Sequence, residues 1–183
     1  MNPTDILRHE HKVVLLVLKG AERIARTVSG GGEADIETIE KMVDFFRNFT
    51  DRCHHAKEEK LLFPMLEQRG VGKTGGPIGV MLHEHEAGRA HVRAIAEAAA
   101  KISSGDTSAR AALAEALDAY AELLAAHINK EDNVLFVMAD RALTDDDKIE
   151  LAAAFEKVEA EEMGAGTHER YHAFAHEVAG SDL

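Results

Sequence analysis

The chain has 183 residues, of which 45% are hydrophobic, and 33 acidic against 21 basic residues give a net charge of −12. This length fits one ordinary globular domain. The negative charge repels phosphate backbones and anionic lipids, so we expect no nucleic-acid or membrane binding, and cations are the natural partners. A lone cysteine, Cys53, and an N-terminus without the pattern of a secretory signal favour a cytoplasmic location.

Long stretches rich in Ala, Leu, Glu and Lys, separated by two glycine clusters, predict helices. We expect them over 4–28, 34–68, 77–103, 108–140, 145–163 and 167–179, with Asp106 and Thr144 as caps. Short connections favour antiparallel neighbours, so the predicted fold class is all-α, an up-down-up-down four-helix bundle with an extra C-terminal helical hairpin. The expected division is a bundle over 1–143, built from hairpins 1–72 and 73–143, and an extension over 144–183 packed on it.

An internal repeat organises the histidines. Segment 54–65, HHAKEEKLLFPM, aligns without gaps on segment 127–138, HINKEDNVLFVM, and a His-Glu-His core recurs at 9–11 and 83–85. The spacing is also repeated, with 43 residues between His11 and His54 and 42 between His85 and His127. Each half is therefore predicted to be a helical hairpin with one histidine on its first helix and a His-x-x-x-Glu pair on its second.

These pairs have the spacing of metal ligands. Residues i and i+4 lie one turn apart on a helix, so each glutamate approaches its histidine. Imidazole suits iron or zinc, and a carboxylate can bridge two ions about 3.5–4 Å apart. Both pairs lie on apolar helix faces, where an uncompensated carboxylate costs several kcal/mol, so metal ions are the expected counter-charge. The candidate ligands are His11, His54, Glu58, His85, His127 and Glu131.

Neighbouring pairs of this kind have a simpler interpretation. A single His-x-x-x-Glu is common on exposed helix faces, where it contributes about 0.2–0.5 kcal/mol. Helical periodicity places His55 and Glu59 on a polar face, and we expect them to be exposed. Cys53 is expected to be a small core residue.

Two further groups are weaker candidates. His168, His172 and His176 share one face of the last helix, and His168 is a candidate additional ligand of the metal centre. Solvated histidines, or an adventitious metal site on this face, are the alternatives. Tyr120 is a candidate hydrogen-bond donor behind the ligands, with an ordinary buried tyrosine as its alternative.

Over about residues 4–140 the chain resembles the hemerythrin, or HHE cation-binding, family, through Glu10-His11, Glu84-His85 and the two His-x-x-x-Glu segments. The resemblance implies a non-haem centre of two iron ions with bridging carboxylates and an oxo or hydroxo bridge, held by the six ligands above. Zinc is the less expected occupant. Oxygen-carrying hemerythrins place a further histidine where this chain has Arg89, and their last carboxylate follows its histidine by five residues, not four as in Glu131.

The functional hypothesis is therefore a non-enzymatic di-iron protein that binds oxygen or nitric oxide for sensing, storage or iron homeostasis. The first alternative is an enzyme, a di-iron oxidase or peroxidase that consumes peroxide, or an iron donor in iron–sulfur cluster repair. The second alternative is a structural metal in a scaffolding bundle. The sequence favours neither a monomer nor a homodimer.

Overall fold

The computed structural model describes residues 2–164 and 166–180, and this part of the chain contains helices without strands. Helix α1 is Pro3–Ser29 and α3 is Pro77–Ser103, each with proline in its first turn, where the missing N–H costs nothing. Helices α5 and α6, at Asp145–Glu162 and Thr167–Ala179, form the C-terminal hairpin. The predicted helical bundle with extra C-terminal helices is confirmed.

Helices α2 and α4 are continuous but change pitch along their length. Helix α2 is α-helical over Ile36–Phe45 and Phe63–Gln68 and π-helical over Phe46–His55 and Glu58–Leu62. Helix α4 begins with a 3₁₀ turn, Thr107–Ala109, continues as α-helix over Arg110–Lys130 and Phe136–Ala142, and is π-helical over Glu131–Leu135. In both helices, π-helical turns overlap the repeated His-x-x-x-Glu segments, and π-helical turns are frequent at functional sites.

The predicted caps are confirmed. The Asp106 carboxylate accepts the backbone N–H of Ser108, and Thr144 forms a reciprocal capping box with Asp147. Asp147 also accepts two hydrogen bonds from Arg69, both 2.7 Å, which fastens the start of α5 to the end of α2.

The bundle has two apolar clusters with a polar layer between them. One cluster contains Val14 and Leu124, and the other contains Leu7 and Leu135. Because Leu7 and Val14 lie two turns apart on the same side of α1, His11, about one turn from each, belongs to the buried layer. Cys53 is buried in the first cluster, as predicted.

The C-terminal hairpin packs on the outside of the bundle. Helix α6 crosses α1 at Gly20, where a Cβ atom would lie 2.8 Å from the carbonyl oxygen of Val178. Tyr171 donates a 2.8 Å hydrogen bond to Asp44 of α2, and Arg23 donates one to Val178. No helix in the described ranges is both long and apolar enough to cross a membrane.

Candidate metal centre

Four imidazoles meet in the buried layer as two pairs. The Nε2 atoms of His11 and His54 are 3.0 Å apart, and those of His85 and His127 are 3.1 Å apart. All four side chains are at most 2% exposed. We call the His11 and His54 pair the first half-site and the His85 and His127 pair the second half-site. Two nitrogens bound to one ion at about 2 Å and roughly a right angle lie about 3 Å apart, so both pairs have the spacing of ligands on a common ion.

Glu58 lies between the two half-sites. Its Oε1 is 3.6 Å from Nε2 of His54, and its Oε2 is 3.4 Å from Nε2 of His85. The carboxylate therefore presents a different oxygen to each half-site, the orientation that a bridging ligand requires.

Glu131 occupies the equivalent position in the second half of the chain. Its Oε2 is 3.2 Å from Nε2 of both His11 and His127. Both oxygens of Glu131 and both oxygens of Glu58 are buried and accept no hydrogen bond from any residue that the structure describes. Four such oxygens are a large desolvation cost without a cation, and two metal ions would satisfy them.

Each Nε2 faces the centre because the other ring nitrogen is held by a carboxylate. The four Nδ1–H groups donate over 2.7–2.9 Å to partners on neighbouring helices: His11 to Asp132, His54 to Glu10, His85 to Glu59 and His127 to Glu84. A carboxylate on Nδ1 fixes the tautomer and ring orientation and raises the basicity of the metal-facing nitrogen. The sequence interpretation missed these four carboxylates, although the His-Glu-His repeat already contained Glu10 and Glu84.

Three of these carboxylates are in turn bound by cations. Lys57 donates to Glu10 and Lys130 donates to Glu84, while Arg89 donates a 2.8 Å hydrogen bond to Glu59. Lys57 and Lys130 occupy equivalent positions of the sequence repeat. Their recurrence therefore indicates that both lysines have the same partner type, which is the glutamate of the His-Glu-His repeat. The Lys57 side chain is fully buried, which is costly unless it is paired.

The carboxyls of Glu58 and Glu131 differ in their affinity for protons. Burial raises the pKa of Glu58 well above its usual 4.5, and the adjacent Glu131 raises it further. Burial alone would also raise the pKa of Glu131, but the neighbouring imidazoles of His127 and His11 outweigh it and hold this pKa well below 4.5. Of the two carboxyls, Glu58 therefore binds a proton more tightly than Glu131 in the metal-free protein.

The prediction that His55 is exposed is wrong. Its side chain is 4% exposed, and its ring stacks on that of His85 with 3.8 Å between centroids. A ring nitrogen of His55 lies within 4.8 Å of ligand atoms of Glu58, His85 and His127. The prediction assumed regular α-helical periodicity, whereas the wider π-helical turns before His55 rotate it inward.

Glu59, the predicted exposed partner of His55, is half-buried and accepts the hydrogen bond from His85 instead. Arg89 stands where oxygen carriers have an additional histidine, and it donates to Asp51 over 2.8 Å as well as to Glu59. This arginine therefore orients carboxylates around the second half-site without facing the centre.

His168 does not join the six predicted ligands. Its Nε2 lies 3.8 Å from Glu159, and it belongs to a separate group with Glu159 and Glu10. The His172 ring stacks against that of His9 and lies tilted against that of His168, and His176 is exposed.

Tyr120 is buried and packs edge-on against Phe46, with 4.7 Å between ring centroids. Together with His55 it lines a cavity between the helices. Its position is that of an ordinary core tyrosine whose ring borders a cavity beside the second half-site.

Comparisons with known proteins agree with this geometry. The family model described as the hemerythrin HHE cation-binding domain matches residues 2–139. An uncharacterized protein of Mycobacterium tuberculosis is 26% identical over 162 residues, which cover 88% of this chain and 62% of the relative. The iron-sulfur cluster repair protein YtfE of Edwardsiella ictaluri is 33% identical over 72% of this chain and 59% of its own length.

The iron-sulfur cluster repair protein DnrN of Neisseria gonorrhoeae is 40% identical over 92 residues, 45% of this chain and 54% of the relative. This chain thus spans less than two thirds of the length of each of these relatives. No solved structure gives a significant match.

Proposed function

The chain belongs to the hemerythrin HHE cation-binding domain family, and we propose that it is a non-haem di-iron protein whose centre reacts with oxygen, nitric oxide or peroxide. The proposed ligands are His11 and His54 at one ion and His85 and His127 at the other, with bridging carboxylates. Glu58 and Glu131 would supply the carboxylates shared by the two ions.

One observation carries the proposal. Four carboxylate oxygens are buried between two histidine pairs and accept no hydrogen bond from the described residues. Two carboxylates and four imidazoles are a mixed oxygen and nitrogen donor set, which suits iron and differs from the thiolate-rich closed sites of structural zinc. When bound, the iron pair would supply redox chemistry toward small oxygen- and nitrogen-containing ligands.

The protein's own residues position this chemistry. The carboxylates on Nδ1 hold the imidazoles in one tautomer, and Lys57 and Lys130 hold two of those carboxylates. Six protein ligands shared by two ions leave coordination positions for an exogenous ligand. The apolar clusters on either side restrict access of bulk water.

The first test is ligand reactivity of the iron-loaded protein. Anaerobic loading with Fe(II), followed by nitric oxide or oxygen, should produce new near-ultraviolet and visible absorption bands. His54→Ala should abolish them, while His83→Ala, which removes an exposed histidine of α3, should retain them. An absent spectral change in the loaded wild-type protein would overturn the proposal.

A second candidate function is donation of iron in the repair of damaged iron–sulfur clusters. Two relatives that are named iron-sulfur cluster repair proteins support it, and each match covers less than two thirds of the relative. The acceptor should hold a reduced [3Fe–4S] cluster, which becomes [4Fe–4S] by gaining one Fe(II) without added sulfide. Incubation with the iron-loaded chain should restore the activity of this acceptor, and incubation with His54→Ala should not. Spectral reactivity without transfer of iron would favour ligand binding as the function of this chain.

A further inference from the structure

A cavity of about 230 Å³ lies beside the second half-site, between α2, α3 and α4. His55 forms part of its wall, and behind His55 lies the ring of His85, with the two centroids 3.8 Å apart. At about 30 Å³ per water molecule, the cavity has room for roughly seven waters or for a small hydrated ion.

The wall of this cavity is strongly basic for a chain with a net charge of −12. Four arginines and a single carboxylate line it: Arg47, Arg52, Arg89, Arg93 and Asp51. Arg89 pairs with Asp51, Glu59 and Glu86. The other three arginines form no ion pair with any residue of 2–164 or 166–180, so their charge is available to a ligand.

The repeat shows that this cavity is specific to the second half-site. His55 and Arg89 lie beside the second half-site. In the other half of the repeat, His55 corresponds to Ile128 and Arg89 corresponds to Leu15. Ile128 is buried in the apolar core, and Leu15 packs against that core. The groove beside the first half-site is instead lined by more acidic than basic residues: Asp5, Glu10, Asp132 and Glu159 against Arg8 and Lys12.

We propose that the arginine-lined cavity binds a small planar oxyanion, of the nitrite or carboxylate class, next to the second half-site. Guanidinium groups present parallel N–H donors that match two oxygens of such an anion. A concave basic surface on an acidic protein also concentrates anions locally and accelerates their association. Binding in the cavity requires no metal, so this inference does not depend on the proposed di-iron centre.

Gly88 offers a way to fill the cavity without removing charge. A Cβ atom at this α3 position would lie 3.5 Å from Cε2 of Tyr120, an ordinary van der Waals distance. Gly88→Ala should therefore fold, gain about 1 kcal/mol of helix stability and narrow the cavity. Gly88→Leu should fill more of it.

The test is an NMR titration of the metal-free chain with ¹⁵N-nitrite and, in parallel, with ¹³C-formate, read from ligand line broadening. Using metal-free protein separates this result from any failure of the di-iron proposal. We expect saturable binding of at least one anion, weakened at least tenfold by the combined substitutions Arg47→Gln, Arg52→Gln and Arg93→Gln, and also weakened by Gly88→Ala. Nitrite binding alone would assign an inorganic anion, and formate binding alone a carboxylate.

The matched control carries the same number of charge removals elsewhere: Arg26→Gln, Lys73→Gln and Arg141→Gln. It should bind like the wild-type chain. Absent binding by the wild-type chain, or an equal loss in the control, would overturn the proposal, because either result leaves no role for this cavity. Circular dichroism checks that Gly88→Ala is folded.

Discussion

Glu58 faces His54 with one carboxylate oxygen, at 3.6 Å, and His85 with the other, at 3.4 Å. The two histidines come from different halves of the sequence repeat, so this one side chain links the half-sites. The carboxylate is fully buried, and neither oxygen accepts a hydrogen bond from the described residues. Such a residue is expected to cost stability in the metal-free protein and to be required for metal binding.

Glu58→Met should therefore stabilise the metal-free protein and abolish binding of the metal pair. A buried polar group without partners costs about 1–3 kcal/mol, and methionine replaces it with an apolar side chain of similar size. Urea unfolding of the metal-free chain measures the change, with the exposed Glu86→Met as a control that should stay within about 0.5 kcal/mol. A destabilised metal-free Glu58→Met chain would contradict this account.

The carboxylates on Nδ1 should control affinity at their own half-site. Glu10→Gln should weaken binding at the first half-site, and Glu84→Gln at the second, each by about 10- to 100-fold. Titration with Co(II), followed by visible absorption, separates the two binding events. Glu97→Gln, an exposed position on the helix that carries Glu84, is the matched control and should leave both unchanged. Equal weakening of both events by each variant would argue against independent half-sites.

Metal affinity should rise with pH up to about 9. Burial opposes the charged form of His11, but its hydrogen bond with Asp132 and the nearby Glu131 outweigh burial and raise its pKa from 6.5 to about 9. The proton on this ring must leave before the imidazole can bind metal. At pH 7 metal binding should therefore release protons, measurable by calorimetry in buffers of different ionisation enthalpy.

Asp132→Asn provides the control for this pH dependence. It removes the acceptor that stabilises protonated His11, so fewer protons should be released at pH 7 even though affinity falls. The folding stability of the metal-free protein should change with pH in the opposite direction to metal affinity. The raised pKa of His11 contributes stability below pH 6.5, and this contribution disappears as the pH rises through about 9. Affinity that does not change between pH 6 and 9 would contradict the proton assignment.

Docking of the C-terminal hairpin should depend on Gly20. A Cβ atom there would lie 2.8 Å from the backbone oxygen of Val178 and 2.9 Å from its side chain, so α6 must shift. Gly20→Ala should destabilise the chain by about 1–3 kcal/mol despite the better helix propensity of alanine. Limited proteolysis should cut Gly20→Ala within the hairpin faster than wild type, and Gly88→Ala should not show this effect. Equal cleavage rates would mean that the contact is unimportant.

The sequence predicted most of the helices and the metal ligand candidates because both depend on local spacing. Apolar periodicity gave the helices, and the duplicated His-x-x-x-Glu segments gave the residues that the structure brings together at the two half-sites. The sequence position of His55 was interpreted wrongly because a π-helical turn changes the face that a residue occupies. Local sequence spacing does not report that change of pitch.

The outer residues could be predicted only in part. Lys57 and Lys130 are visible in the repeat, but their pairing with Glu10 and Glu84 spans 47 and 46 residues and depends on how the helices pack. The cavity beside His55 depends in the same way on three helices meeting. The shared helix face of His168, His172 and His176 does not show which part of the bundle that face meets, and the packing of α6 places His168 beside Glu159.

The most direct test of the central claim is the metal content per chain of protein purified without added metal, measured by elemental analysis. The account predicts two irons per wild-type chain and at most one in the single variants His54→Ala and His85→Ala. His83→Ala should retain the wild-type content. One zinc per chain, or iron content unaffected by loss of either half-site histidine, would contradict the dinuclear centre.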